Sequence, residues 1–91
     1  MEIVKRAVAG SLESSDIFLE ILPHQKGVEI ELTSIVMNQY GDEIRDVIKN
    51  VLERMNVQNA LVKANDHGAL ECVIRARVET AVRRSEKEDG Q

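Results

Sequence analysis

Residues 28–55 read VEIELTSIVMNQYGDEIRDVIKNVLERM, and the period of their hydrophobic residues changes part-way along the stretch. In the first five positions apolar residues alternate with glutamates, which predicts a strand with one face in water. After Thr33 and Ser34, which both favour helix starts, apolar residues recur at spacings of three and four as far as Met55. That spacing predicts an amphipathic helix that ends near Asn56. A strand that leads directly into such a helix indicates an α+β fold.

The segment before this stretch predicts another strand and a hairpin. Residues 17–22, IFLEIL, alternate so that one face is fully apolar, and Pro23 and Gly27 bracket a turn. We therefore expect this strand to pair directly with the strand that begins at Val28, as a hairpin. Farther upstream, the short mixed run IVKRAVA at residues 3–9 is a candidate strand.

The segment after the helix predicts one more strand and one more helix. Residues 57–64, VQNALVKA, have strand character, and Asn65, Asp66 and Gly68 supply a turn. Apolar residues within 70–82 then recur at helical spacing, which predicts a second amphipathic helix.

These elements fit one small domain over residues 1–91, because a chain of 91 residues builds a single modest core. The predicted class is α+β, with a small antiparallel or mixed β-sheet and two amphipathic helices packed on one face. Residues 85–91, SEKEDGQ, are polar, and we expect them to fray.

The composition argues against nucleic acid, membrane and metal as partners. One Phe, one Tyr and no Trp leave hardly any aromatic surface on which bases could stack, and a formal net charge of -4 opposes a phosphate backbone. One Cys and two His residues are too few for an internal disulfide or a zinc site. No apolar run has the length that a membrane span needs. We expect a cytoplasmic protein.

Few side chains offer chemistry of their own. His24 falls in the hairpin turn and His67 beside a helix start, where polar residues are ordinary. Cys72 lies beside the apolar stripe of the second helix, so we expect it to pack as a small hydrophobic residue. The basic stretch around Arg75 and Arg77 suits an acidic partner or a phosphate, although a surface helix of mixed charge has the same pattern. We expect no catalytic residue in this chain.

The remaining feature is the segment GSLESSD at residues 10–16, which holds three serines. A turn accepts such residues, because Gly relaxes the backbone and Ser and Asp oxygens bond nearby amides. An exposed hydroxyl on a turn is also a place where another enzyme attaches a group. The residues leave both interpretations open.

Three longer segments carry a family resemblance. They are AVAGSLESSD at 7–16, YGDEIRDVIKNVLERMNV at 40–57 and DHGALECVIRARVETAV at 66–82. In this order they resemble the acyl carrier protein of citrate lyase, its gamma subunit. The resemblance implies that Ser14 carries 2′-(5″-phosphoribosyl)-3′-dephospho-coenzyme A through a phosphodiester. It also implies that Ser11 occupies a position open to Ser or Thr, and that Ser15 occupies one where family members can carry Gly.

The resemblance implies a non-catalytic carrier subunit in a lyase complex. In such a complex the alpha subunit, an acyl transferase, exchanges acetyl for citryl on the cofactor thiol and releases acetate. The beta subunit, a citryl lyase, then releases oxaloacetate and restores the acetyl thioester, and a prosthetic-group transferase loads the serine. We expect Glu13 and Asp16 to frame recognition of Ser14. We expect Arg75 and Arg77 to contact the cofactor phosphates or a partner subunit.

Two alternatives stay open. The acyl carrier subunit of malonate decarboxylase uses the same kind of cofactor on a related small protein, although YGDEIR and ALECVIRAR favour citrate lyase. The alternative from another class is a small α+β interaction or regulatory module without a cofactor, for which GSLESSD is only a turn.

Overall fold

The computed structural model describes residues 1–86 and contains four strands and two helices. In chain order they are β1 (Ala7–Gly10), β2 (Ile17–Leu22), β3 (Val28–Ser34), α1 (Met37–Arg54), β4 (Ala60–Asp66) and α2 (Glu71–Ser85). This content confirms the predicted α+β class. Within the described residues, neither helix has the length and apolarity that crossing a bilayer requires.

The strands form one mixed sheet in the order β1, β2, β4, β3. β2 pairs antiparallel with both β1 and β4. β3 and β4 are parallel, with Val28 opposite Ala60 and Ser34 opposite Asp66. The predicted hairpin between β2 and β3 is therefore wrong, because β4 lies between them. A parallel pair needs a long crossover, which α1 provides. β4 is therefore an interior strand between β2 and β3.

The hairpin of this fold is made by β1 and β2 instead. Its register runs from Ala7 opposite Ile21 to Gly10 opposite Phe18, so residues 11–16 form its loop. The candidate strand at residues 3–9 thus begins later than predicted, although Ile3 ahead of it is buried in the core.

The turn predicted at residues 65–68 overlaps the end of β4, which runs two residues past the predicted end to include Asp66. The buried Asp66 carboxylate accepts hydrogen bonds from the Gly68 N–H at 3.2 Å and the Ala69 N–H at 3.0 Å. Asp66 therefore ends the strand and directs the chain into α2.

The C-terminal helix extends beyond Val82, the last apolar residue of its stripe. α2 continues through Ser85, whose buried hydroxyl donates to the Val82 carbonyl at 2.7 Å. The fraying predicted from residue 85 is therefore wrong for Ser85. Residues 87–91 of that segment lie outside the described residues.

Both helices pack on the same face of the sheet, which confirms that prediction. On the sheet side Ile17, Leu19 and Ile21 of β2 are buried in this layer. The buried apolar residues of the helices are Ile44, Ile48, Val51, Leu52, Ile74, Val78, Ala81 and Val82. Full burial of a side chain of this size contributes about 1.5–3 kcal/mol, so the layer between sheet and helices stabilises the fold.

One end of the sheet gathers three connections. The β1–β2 loop, the β3–α1 connection and the β4–α2 connection all leave the sheet where Ile17, Ser34 and Asp66 lie on neighbouring strands. The Ser34 hydroxyl donates to Asp66 Oδ2 at 2.7 Å, which ties two of the strand ends together. We call this region the serine end and define it as residues 11–16, 34–43 and 65–72.

Candidate functional site

Ser14 lies at the tip of the β1–β2 loop. The Asp16 N–H donates to the Glu13 carbonyl at 3.2 Å, which closes a four-residue turn with Ser14 and Ser15 at its centre. The Ser14 side chain is exposed, and its hydroxyl makes no hydrogen bond within residues 1–86. A group attached to this oxygen would therefore break no internal contact.

Ser15 serves the backbone of the same turn. Its φ is 63°, and turns that need a positive φ at the third position prefer Gly there. Its N–H donates to the His67 carbonyl at 2.8 Å, while the His67 N–H donates to the Asp16 carbonyl at 2.9 Å. Ser15 and Asp16 on one strand thus lie opposite the single residue His67 on the other, which is the arrangement of a β-bulge. Position 15 therefore suits Gly, as the family resemblance implies.

The Asp16 side chain joins the β1–β2 loop to α2. Its buried carboxylate accepts hydrogen bonds from Arg77 Nε at 3.1 Å and Arg77 Nη2 at 2.9 Å. The Ser11 hydroxyl at 2.6 Å and the Ile17 N–H at 2.7 Å complete the set of donors. The hydrogen bonds from Arg77, then those from Ser11 and Ile17, lower the pKa of Asp16 from 3.8 to about 2. The carboxylate is therefore ionised at neutral pH, and Ser11 is committed to it.

Gly10 permits the close approach at the base of the loop. Its φ is 90°, and a Cβ at this position would lie 1.8 Å from the Ile17 carbonyl oxygen. The same Cβ would lie 3.5 Å from Arg77 Cδ. Only Gly fits such a position without moving the backbone, so the loop from Gly10 to Asp16 is held as one unit over α2.

The structure places the predicted site residues in different surroundings. Glu13 is exposed beside Ser14, whereas Asp16 is internal and bound to Arg77. Arg75 lies away from the loop, where it donates hydrogen bonds to Glu71 Oε2 at 3.0 Å and to Asn50 Oδ1 at 2.9 Å.

The geometry thus brings Arg77 but not Arg75 to the serine loop. Contact of either arginine with cofactor phosphates or a partner stays a prediction.

The histidines and the cysteine are not joined to Ser14. Cys72 is exposed on the first turn of α2, so the prediction that it packs as a small hydrophobic residue is wrong. His24 Nε2 lies 3.8 Å from Glu29 Oε2 at the opposite end of the sheet. His67 Nε2 is buried and has no hydrogen-bond partner within residues 1–86. No group of three His, Cys, Asp or Glu side chains in the described part of the chain is arranged to hold a metal ion.

An apolar groove of about 380 Å³ opens between the starts of the two helices. It is lined by Val36, Tyr40, Glu43, Ile44, Val47, Gly68, Ala69, Leu70, Glu71 and Ile74. Helical spacing alone assigns Tyr40 and Leu70 to the core, yet they are 49% and 69% exposed. The signal that sets them apart is their place at a helix start, where the neighbouring turn that would cover them is absent. We call this feature the apolar groove.

Comparison with known proteins assigns the chain to a family. An acyl carrier family described as "Malonate decarboxylase delta subunit (MdcD)" matches residues 4–85. The citrate lyase acyl carrier protein of Halothermothrix orenii is 45% identical over 87 residues, covering 96% of this chain and 93% of the relative. That of Cronobacter sakazakii is 51% identical over 85 residues, covering 93% and 88%. The chain belongs to the citrate lyase acyl carrier proteins.

A solved structure supports the fold of this family member. A chain in the crystal structure of a Pseudomonas malonate decarboxylase hetero-tetramer in complex with malonate superposes with a TM-score of 0.78. The match covers 90% of this chain and 84% of that chain at 23% sequence identity. At that identity the likeness shows the shared fold alone. The citrate lyase relatives are named as carrier proteins, which agrees with a carrier role.

Proposed function

We propose that this chain is the acyl carrier subunit of a citrate lyase, and that Ser14 Oγ bears the 2′-(5″-phosphoribosyl)-3′-dephospho-coenzyme A group. The observation that carries the proposal is the exposed, unbonded Ser14 hydroxyl on a loop that Asp16 and Arg77 hold in place. When bound, the group supplies the thiol that carries acetyl or citryl as a thioester.

The residues present favour a covalent group at Ser14 over the neighbouring serines. Ser11 is committed to Asp16, so a phosphodiester there would remove a hydrogen bond to a buried carboxylate. Ser15 occupies a backbone position that prefers Gly, so its side chain is dispensable for the turn. Of the three serines, only Ser14 has an exposed hydroxyl, lies at the centre of the turn and has a backbone conformation that does not favour Gly.

The chain leaves the chemistry to other proteins. Within residues 1–86, no His, Asp or Glu side chain is hydrogen-bonded to the Ser14 hydroxyl, so no base is positioned on it. In loading, the Ser14 Oγ–P bond forms while the bond from that phosphorus to a leaving phosphate of an activated donor breaks. The hydroxyl proton passes to a base of the prosthetic-group transferase. We therefore propose a non-catalytic subunit.

The proposed partners are those of a citrate lyase. They are the alpha subunit with acyl transferase activity, the beta subunit with citryl lyase activity and the prosthetic-group transferase. The single free cysteine suits a reducing compartment, and we place the complex in the cytoplasm.

The second candidate is the acyl carrier subunit of a malonate decarboxylase. The description of the matching family, a malonate decarboxylase delta subunit, favours it. The identities of 45% and 51% to citrate lyase acyl carrier proteins favour the first candidate.

Reconstitution separates the two candidates. The loaded chain is combined either with citrate lyase alpha and beta subunits or with the corresponding malonate decarboxylase subunits. We expect citrate cleavage in the first mixture and no malonate decarboxylation in the second, and Ser14→Ala should abolish the cleavage. Activity with malonate alone would overturn the first candidate in favour of the second. The absence of any adduct on the chain would favour an interaction module without a cofactor.

A further inference from the structure

The serine end carries an acidic surface. Residues 11–16, 34–43 and 65–72 contain none of the 12 Lys and Arg residues of the chain. They contain four exposed acids, which are Glu13, Asp42, Glu43 and Glu71. Glu71 is paired with Arg75, whereas the other three have no ion-pair partner within residues 1–86. A molecule that approaches Ser14 therefore meets a surface of uncompensated negative charge.

The same end exposes large apolar side chains. Ile35 is 70% exposed and Leu70 is 69% exposed, and Leu70 and Tyr40 line the apolar groove. Ile35 adjoins the groove wall, because its Cδ1 lies 3.8 Å from the position that a Cβ on Gly68 would take. Single exposed apolar residues are ordinary, but a contiguous group with a polar rim marks an interaction surface.

The apolar groove lies close to the turn that carries Ser14. Its wall begins at Gly68, the residue after His67, and the His67 carbonyl accepts the hydrogen bond of the Ser15 N–H. Any protein that reaches the Ser14 hydroxyl itself must therefore come near this groove. Proteins that act on a thiol at the far end of a long flexible arm have no such need.

We propose that the apolar groove, with Ile35, Tyr40 and Leu70 as its apolar contacts and Glu43 at its rim, docks the protein that modifies Ser14. That protein presents an apolar side chain surrounded by Lys or Arg residues, because the rim is acidic and the floor is apolar. The proposal rests on the proposed function and names the surface by which its loading partner recognises the chain.

Charge decides against the prosthetic group itself as the occupant. The group carries phosphates, and citryl carries carboxylates, so both are repelled by the unpaired Glu43 and the neighbouring Asp42. Acetyl is too small to fill a groove of about 380 Å³. A cationic protein surface would be attracted to the acidic rim, and it would also bind the anionic donor of the prosthetic group that must reach Ser14.

The test measures the rate at which purified transferase and its donor load the unmodified chain, followed by intact mass. The variants are Leu70→Ser and Glu43→Lys. Ser is a favoured residue at the N-cap position that Leu70 occupies, so this variant keeps α2 intact. The matched controls are Val28→Ser and Glu29→Lys, both exposed at the start of β3, at the opposite end of the sheet from Ser34.

We expect each groove variant to lower kcat/KM for loading by about tenfold or more, chiefly through KM, with both controls close to wild type. Added salt should raise KM for the wild-type chain more than for Glu43→Lys, because it screens the charges at the rim. Loading of both groove variants at the wild-type rate would overturn this inference while leaving the proposed function intact. A wild-type chain that is not loaded at all would overturn the proposed function.

A second readout checks which partner uses the groove. Calorimetry measures the affinity of each loaded chain for the lyase subunits. If Leu70→Ser and Glu43→Lys weaken that affinity while their loading rates match wild type, the groove belongs to the lyase complex and the inference is wrong. If these variants are loaded slowly while thermal unfolding shows that they are folded, the inference is supported.

Discussion

Arg77 and Asp16 form a two-pronged ion pair that joins α2 to the loop of the β1–β2 hairpin. Arg77 Nε and Nη2 lie 3.1 Å and 2.9 Å from the two carboxylate oxygens of Asp16, across 61 positions of sequence. Such bidentate pairs fix orientation as well as distance. The turn that presents Ser14 is therefore held by the helix layer rather than by local contacts alone.

Removal of the arginine should loosen this loop. Arg77→Gln leaves the buried Asp16 carboxylate without its charged partner, so we expect a loss of about 1–3 kcal/mol in the free energy of unfolding. Urea unfolding measures the loss, and hydrogen exchange at the Ser15 amide reports the loosened turn. Arg75→Gln is the matched control, because its pair with the exposed Glu71 contributes only about 0–1 kcal/mol. Equal losses in the two variants would contradict the anchoring role of Arg77.

The lowered pKa of Asp16 makes the stability of the fold depend on pH in the acid range. This pKa is lowered from 3.8 to about 2 in the folded chain, so the folded state favours the ionised carboxylate. The resulting stability is fully present above the unfolded pKa and is lost as the pH falls through about 4 toward 2. Asp16→Asn should therefore show a weaker fall in stability over that interval than the wild-type chain. Parallel stability curves for the two proteins between pH 5 and 2 would contradict the assignment.

The base of the loop requires glycine. Gly10→Ala would place a methyl group 1.8 Å from the Ile17 carbonyl oxygen at a φ of 90°, so we expect a loss of at least about 3 kcal/mol or failure to fold. Gly27→Ala is the control, since Gly27 also has a positive φ but no atom within 4 Å of the added Cβ. It should cost about 1–2 kcal/mol from backbone strain alone. Thermal unfolding of both variants tests the difference, and similar melting temperatures would argue against the close contact.

Position 15 should accept glycine. Ser15 has a φ of 63°, so Gly relieves backbone strain there while adding entropy to the unfolded chain, and the two effects nearly cancel. We expect Ser15→Gly to change the free energy of unfolding by less than about 1 kcal/mol and to retain loading. Chemical unfolding and intact mass check the two expectations. A Ser15→Gly chain that folds but is not loaded would move the attachment site to Ser15.

The periodicities predict most of the elements but not their neighbours. Alternation in residues 17–22 and 28–32 identifies two strands, yet alternation does not say which strand lies beside which. The hairpin prediction fails because the crossover through α1 inserts β4 between them. Helical periodicity likewise does not say whether a residue at the end of a helix is covered by neighbouring elements. Leu70 and Cys72 fit or adjoin an apolar stripe, but at the first turn of α2 they face solvent.

The candidate site was only partly accessible to sequence reasoning. The resemblance singles out Ser14, and the structure shows it exposed and unbonded. The role of Asp16 as an internal anchor depends on Arg77, which lies 61 positions away, and no local pattern connects the two. The apolar groove likewise forms only when the starts of both helices meet.

The most direct test of the central claim is the intact mass of the chain after coexpression with its cofactor-synthesis and transferase enzymes, followed by fragmentation. Wild type and Ser15→Ala should each carry a single phosphoribosyl dephospho-coenzyme A adduct, located on Ser14 in both. Ser14→Ala should remain unmodified. An adduct that persists in Ser14→Ala, or an unmodified wild-type chain under conditions that fully load a known relative, would contradict the account.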